Sequence, residues 1–528
     1  MTTPPNTSHN PDKPTSLGRS GSIVAVMTLL SRVLGFVRDQ VLAIVFGAGA
    51  TTDVFLVAFK IPNFLRRLFA EGAFAQAFIP VFTEYRETKD REALKNLAAH
   101  VVGTLSLVLL VISTLGVMLA PFIVMVFAPG FIDNEAQFEL ATHMLRITFP
   151  YLLFVSLVAY AGSILNTFGQ FAIPSFTPVL LNVCMISAAL VFSPMFEQPI
   201  VALAWGVFAA GVLQLALQLP FLQRIGLLPK PKWGWKHSGV RRILKLMAPA
   251  IVGSSVAQIN LLLDTIIATF LVSGSLSWLY YSDRLMEFPL GLIGVTLGTI
   301  ILPRLSREYA NHSEQGYRNT ITWALRINVL IGLPATVGLV VLASPMISTL
   351  FEYGAFTAQD TYLAAFSLVA YSLGIPAFIL IKIFAPAFFS RQDTKTPVRI
   401  GIVALISNMV YNLMLVLPMV WLDFIAPHTG LALATTASAI QQSWMLYQAL
   451  KKRELYSIDP LVTSLLVKSL PALLVMTVVL LVLAQGDWHA LDAGSRVARL
   501  IGIIAAGAST YGITLLLFGV RPNDFKSP

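Results

Sequence analysis

Long apolar runs, separated by short polar stretches, fill almost the whole chain. Fourteen of them reach bilayer length: 22–46, 52–82, 96–126, 143–167, 175–193, 200–222, 247–272, 278–303, 320–343, 360–387, 398–419, 429–449, 461–484 and 496–519. About twenty residues rising 1.5 Å each cross a hydrocarbon core of about 30 Å. Backbone in lipid must satisfy its own hydrogen bonds, so the runs are expected to be helices. Prolines inside them (Pro62, Pro150, Pro249, Pro289, Pro334, Pro376) predict kinks. The pattern predicts an all-α polytopic membrane protein of about fourteen transmembrane helices.

The runs repeat at a spacing of about 220 residues. The second and eighth end in AFIPVFTEY (77–85) and IILPRLSREY (300–309). The third and ninth exit through VFAPGF (126–131) and LFEYGAF (350–356). The fifth and eleventh begin FTPVLLN (176–182) and KTPVRIG (395–401). Six helices per unit is an even number, so both units insert the same way up, around a central cleft. This predicts two six-helix lobes related by pseudo-two-fold symmetry, 18–222 and 247–450, joined by a basic linker, 223–246. Segment 451–528 adds two unrepeated helices, and 1–17, polar and proline-rich, is expected to be a disordered tail. No short apolar core with a cleavage site precedes the first run, so no signal peptide is expected.

The chain has 528 residues, 56% hydrophobic and 12% charged. Soluble proteins carry about 25% charge, which excludes that class. The net charge of +10 does not point to nucleic acid, because no basic patch alternates with exposed aromatics. Instead the cations fall in alternate loops: Arg86–Lys95, Arg224–Lys245, Arg304–Arg318, Arg391–Arg399 and Lys451–Arg453. The intervening loops, Gly47–Thr51, Pro129–Thr142, Ser193–Pro199, Ser273–Ser277, Ser344–Gln359 and Trp421–His428, hold no Lys or Arg. By the positive-inside rule both termini are expected to be cytoplasmic. Cys184 is the single cysteine, which excludes an intramolecular disulfide, and the seven histidines lack metal-binding spacing.

Charge inside the runs changes the picture. The first holds Arg32, Arg38 and Asp39; the second holds Lys60, Arg66, Arg67 and Glu71; the eighth holds Asp283, Arg284 and Glu287. Each charge at bilayer depth costs roughly 2.5–3.5 kcal/mol. Internal salt bridges are one explanation, since Arg67–Glu71 and Arg284–Glu287 have helical pair spacing. They do not absorb every cation, and a cationic, water-filled cavity is the other. Helical rise puts Arg32, Arg66 and Arg67 near the midplane and Arg38 and Arg284 farther out. Guanidinium groups bind phosphate oxygens bidentately and stay charged when partly desolvated, which suits a diphosphate substrate.

Four stretches carry a family resemblance: SRVLGFVRD (31–39), TDVFLVAFKIPNFLRRLFAEGAFAQAFIPVFTEY (52–85), WLYYSDRLMEFPLGLIGVTLGTIILPRLS (278–306) and FFSRQDTKTPV (388–398). They resemble the MurJ (MviN) lipid II flippases of the multidrug/oligosaccharidyl-lipid/polysaccharide exporter superfamily, from about Gly18 to the C-terminus. The resemblance implies a transporter, not an enzyme, in the bacterial cytoplasmic membrane. Its substrate would be lipid II, the undecaprenyl-diphosphate-linked disaccharide-pentapeptide of peptidoglycan synthesis. Membrane lipids and other cell-wall synthesis proteins would be its further partners. The family's cavity arginines match Arg32, Arg38, Arg66 and Arg284. Its functional acids match Asp39, Asp53 and Glu287, and its serine matches Ser31. Helices thirteen and fourteen would line a groove for the polyprenyl tail.

A second polar group lies in the later half. Asp264 sits mid-run, Asn408 and Asn412 share a helix face, and Thr435 or Thr436 follows on the next run. Some relatives bind sodium with such a set, and carboxylate and neutral oxygens suit a hard cation. Interhelical hydrogen bonding around a protonated or paired Asp264 is the alternative. Lys382 either snorkels or lines the cavity. An exporter of another lipid-linked glycan or of a drug shares the fold, but cationic drugs call for acids. A glycosyltransferase would need a sizeable extramembrane loop, and these loops are short.

Overall fold

The computed structural model describes residues 17–67 and 74–521, so Glu71 and both tails lie outside the described residues. Each expected run is helical over most of its described length. Ten helical stretches among the described residues are long and apolar enough to cross a bilayer. Runs 52–82, 247–272, 278–303 and 429–449 are helical but not among those ten. Three of these four carry charged residues within the run, among them Asp53 and Lys60, Asp264, and Asp283, Arg284 and Glu287, and the last is rich in Thr, Ser and Gln.

Proline acts unevenly. The fourth run breaks at Pro150 into Glu135–Thr148 and Tyr151–Thr167, and the tenth breaks before Pro376 into Ala358–Ser372 and Ile375–Phe389. A π-turn at Asn328–Gly332 precedes Pro334. Pro62 and Pro289 lie inside continuous helices, Ala50–Arg66 and Ser275–Ala310. A proline removes one i−4 hydrogen bond, and neighbouring helices decide whether the rod breaks there. Several ends are capped: Asp90 accepts from Ala93 N, and Thr357 with Asp360 forms a reciprocal capping box.

Among the described residues, buried side chains form three clusters. One holds the later lobe together with the last two helices, joining Ile321 and Leu342 to Met476, Leu480 and Ile503. A second centres on Phe55, Met144 and Leu203 of the first lobe but also takes in Leu276, Leu279 and Leu431, so it crosses between lobes. The third joins Phe78, Phe82 and Leu97 to Val240 and Ile243. That last cluster ties the linker end to the first lobe. Lys232 N donates to Ala99 O at 2.9 Å and Gly234 N to Thr104 Oγ1 at 3.2 Å. The expected connector is therefore docked along the third helix, Arg91–Met118.

Candidate functional site: a charged seam between the lobes

The cation-free loops gather on one face, and there the lobes are stitched together. Asp53, on the second helix, accepts from Gly274 N at 2.7 Å, Ser277 N at 2.8 Å and Ser277 Oγ at 2.6 Å. It thereby caps the N-terminus of helix Ser275–Ala310 from the opposite lobe, where orphan N–H groups favour an anion. Ala355 N donates to Ile44 O at 2.8 Å, and Gln40 Nε2 donates to Leu350 O at 3.1 Å. Gly130 N donates to Thr269 Oγ1 at 3.2 Å, and Gln137 Nε2 to Ser273 Oγ at 3.3 Å. Gly47 (φ 67°) and Gly354 (φ 58°) make the Ile44–Ala355 approach possible. A Cβ on either would sit 2.4 Å from a carbonyl oxygen of the other segment.

Deeper in the seam lies the charge cluster. Arg38 and Asp39, on the first helix, are both buried, at 7% and 2% exposure. Arg38 donates to Asp39 Oδ1 through Nε at 2.9 Å and Nη2 at 2.6 Å, and through Nη1 to Asn182 Oδ1 at 3.1 Å. From the facing lobe, Tyr280 OH donates to Asp39 Oδ1 at 2.7 Å and Arg284 Nε lies 3.3 Å from Asp39 Oδ2. Arg284 also stacks over the Tyr280 ring at 4.9 Å and reaches Glu287 Oε2 at 3.1 Å. Two guanidinium groups thus share one buried carboxylate, and Glu287 supplies a second acid at the Arg284 end. Arg284 is 34% exposed and Glu287 53%, so the Arg284 end is the one open to a ligand.

The remaining expected residues fall into groups. Arg32 is exposed, and its guanidinium lies across the cleft against the eighth helix: a Cβ on Gly291 would meet Nη1 at 2.9 Å. Lys382, also exposed, shares the charge field of Arg32 and Glu287. Ser31 is half-buried, and its carbonyl accepts from Asn182 Nδ2 at 3.0 Å. Arg66 donates to Asn63 Oδ1 at 2.8 Å and Arg67 is exposed at the end of its helix. The pair expected between Arg67 and Glu71 falls outside the described residues. Lys60 reaches across the seam to Thr265 Oγ1 at 3.2 Å.

The later-lobe group also assembles. Asp264 Oδ1 accepts from Asn408 Nδ2 at 3.0 Å and Asn412 Nδ2 at 2.7 Å, and Asn408 Nδ2 also reaches Asn260 Oδ1 at 2.8 Å. Both asparagines are fully buried, and their Oδ1 atoms lack a hydrogen-bond partner. Thr435 donates to Leu431 O at 3.0 Å and stands beside Asp264. Asn182, Tyr280, Ser277, Gly291 and Asn260 were not expected from sequence. Asn182 and Asn260 could have been, since amides inside apolar helices need partners.

Among the described residues, a bundle of membrane-length helices meeting at a charged seam has the make-up of a membrane transporter. The fold is similar to a MATE family multidrug resistance transporter of the MOP superfamily in an inward-facing conformation. That match has a TM-score of 0.66 and 13% identity, and covers 84% of this chain and 98% of the other. It is closer to a solved "Lipid II flippase MurJ, inward closed conformation", with a TM-score of 0.78 and 27% identity over 94% of this chain and 98% of that one. In sequence the chain is 47% identical over 518 residues to the "Probable lipid II flippase MurJ" of Vibrio cholerae serotype O1, covering 96% and 97% of the two chains. The family model for Lipid II flippase MurJ matches residues 42–501. The chain belongs to the lipid II flippase MurJ family.

Proposed function

We infer that this chain carries lipid II from the cytoplasmic to the periplasmic leaflet of the bacterial cytoplasmic membrane, by alternating access of its two lobes. The observation that carries the mechanism is the shared carboxylate: Asp39 holds Arg38 at 2.6 Å and Arg284 at 3.3 Å across the seam. Loop charge supports cytoplasmic termini, which makes the stitched face periplasmic and the arrangement inward-facing. Units 18–222 and 247–450 would rock about the seam, with 223–246 as the connector carried by the first lobe.

The residues then divide the work. Arg32 and Arg284, the accessible guanidinium groups, receive diphosphate oxygens, with Arg66, Arg67 and Lys382 adding positive potential. Glu287 occupies Arg284 until phosphate displaces it, so Arg284 is never left unpaired. Arg38 is held by Asp39, Asn182 and Tyr280 and positions Asp39 more than it meets substrate. Asp53 latches the periplasmic side, and Ser31 fixes Asn182 through its carbonyl. Helices thirteen and fourteen would hold the polyprenyl tail. Other cell-wall synthesis proteins join the proposal as partners, because the flipped precursor must be passed to a polymerising enzyme.

Sodium is proposed as the coupling ion at Asp264, Asn408, Asn412 and Thr435. The donor set fits a hard monovalent cation: one carboxylate, a hydroxyl and two amides whose buried oxygens lack partners. In the arrangement seen, the amide N–H groups satisfy Asp264. Turned over, both amides would offer oxygens instead, which is tolerable only with a cation present. Differential affinity for the ion between lobe arrangements would bias the cycle. The test of the transport reading is leaflet accessibility of lipid II in depleted cells carrying variants. Arg284→Ala should abolish flipping and Arg284→Lys should restore it partly, because a point charge lacks the planar fork. Full flipping by Arg284→Ala would exclude the proposed role.

A further inference from the structure

We propose that Arg496, on the last helix, is a positioning residue for the periplasmic gate, so that the C-terminal helix pair braces the gate as well as offering a groove. Arg496 is buried, at 6% exposure, although it lies at the start of helix Ala493–Leu517 and far in sequence from the charge cluster. Its guanidinium joins one short segment of the later lobe to the loop before its own helix. Nη1 donates to Ser348 O at 3.1 Å and Glu352 O at 3.2 Å, and Nη2 lies 3.4 Å from Glu352 Oε1. Nε and Nη2 also hold the periplasmic loop through Leu491 O at 3.0 Å and His489 O at 3.1 Å. His489 Nδ1 meets Glu352 Oε1 at 2.6 Å, and Thr361 Oγ1 donates to Oε2 at 2.7 Å.

The segment so clamped is the C-terminal end of the short helix Ala343–Phe351 and the turn after it. Ser348 O takes only a long bond of 3.3 Å from Glu352 N, and a cation at this helix end adds a second donor and complements the helix dipole. The other side of the same segment is the gate. Leu350 O accepts from Gln40, Ala355 N donates to Ile44 O, and the Phe351 ring lies 6.1 Å from Phe36. Gln40, Ile44 and Phe36 are all on the first helix, which also carries Arg32 and Arg38. One buried guanidinium therefore links the last helix to the first through a turn fewer than ten residues long. With the clamp lost, the turn can leave the first helix, and the periplasmic seal weakens at that contact.

The inference rests on the reading that this face opens during transport. It is tested in a Cys184→Ser chain in membranes, by disulfide yield at two gate contacts. One pair is Ile44→Cys with Ala355→Cys; the other is Gln137→Cys with Ser273→Cys, which Arg496 does not touch. Arg496→Ala, and less severely Arg496→Lys and His489→Ala, should lower the first yield several-fold, leave the second unchanged and slow flipping. Unchanged yield at both pairs would overturn the proposal. An equal fall at both with a lowered melting temperature would also overturn it, showing only a folding role. If the Ile44–Ala355 disulfide forms fully in the otherwise native chain and flipping continues, alternating access itself fails, whatever Arg496 does.

Discussion

Asp53 and Ser277 are joined by two hydrogen bonds, 2.8 Å from the backbone N–H and 2.6 Å from the hydroxyl, across 224 residues of chain and across the two lobes. A carboxylate from one lobe thereby caps a helix of the other. The contact can break without unfolding either helix, since the cap is supplied from outside. Asp53→Asn removes the charge and turns an amide donor toward N–H groups. Hydrogen bonds to a charged group contribute about 2 kcal/mol, so the open population should rise about thirtyfold. Ser275, fully buried in the seam, gives the readout as Ser275→Cys in a Cys184→Ser chain. Labelling by a membrane-impermeant maleimide from outside should accelerate in the variant; an unchanged rate would remove Asp53 from the latch.

Gly291 provides a test of Arg32 that leaves Arg32 in place. A methyl group there would sit 2.9 Å from Nη1, and the flexible guanidinium can move aside at little cost to folding. Gly291→Ala should keep normal protein level and melting temperature while reducing flipping, and Gly291→Leu should reduce it further. Normal flipping by both would show that Arg32 does not work against the eighth helix.

The Asp264 group predicts a sodium-specific thermal shift. With choline chloride holding ionic strength constant, saturating sodium should stabilise purified protein by about 1–3 kcal/mol. Asp264→Asn should abolish the shift and slow transport. If sodium stabilises neither protein and the variant transports normally, the group is only a set of interhelical hydrogen bonds.

Asp393, in the loop before helix Lys395–Trp421, gives a pH signature. Burial pushes its carboxyl up, but Thr396 Oγ1 and N–H and then Arg453 outweigh burial and hold it down at about 2. A depressed folded-state value contributes stability above the unfolded value of about 4, and that contribution is lost as pH falls through about 2. The melting-temperature gap between the native chain and Asp393→Asn should be constant above about pH 5 and narrow below about pH 4. A gap that widens on acidification would contradict the Thr396 and Arg453 contacts.

Much of this was legible in the sequence, for definite reasons. Apolar runs of bilayer length have one backbone solution, so helices were predictable, and buried charge marked the seam helices. Which charge meets which was not legible. Arg284 has Glu287 at helical pair spacing and does reach it, but it also meets Asp39, which only the lobe packing brings near. Arg38 and Arg32 look alike in sequence, yet one is enclosed by Asp39, Asn182 and Tyr280 and the other stands exposed. The linker was legible only as a basic connector between the units. Its docking depends on two backbone N–H groups, of Lys232 and Gly234, that donate to Ala99 O and Thr104 Oγ1 of the third helix, which composition does not encode.

Lipid II leaflet accessibility in cells whose only copy of this transporter carries Ile44→Cys and Ala355→Cys in a Cys184→Ser background tests alternating access most directly. Oxidation should lock the contact seen between Ile44 O and Ala355 N and leave lipid II inaccessible from outside. Reduction should restore its exposure within the same cells. Continued appearance of lipid II in the outer leaflet with the disulfide quantitatively formed would contradict transport through this seam.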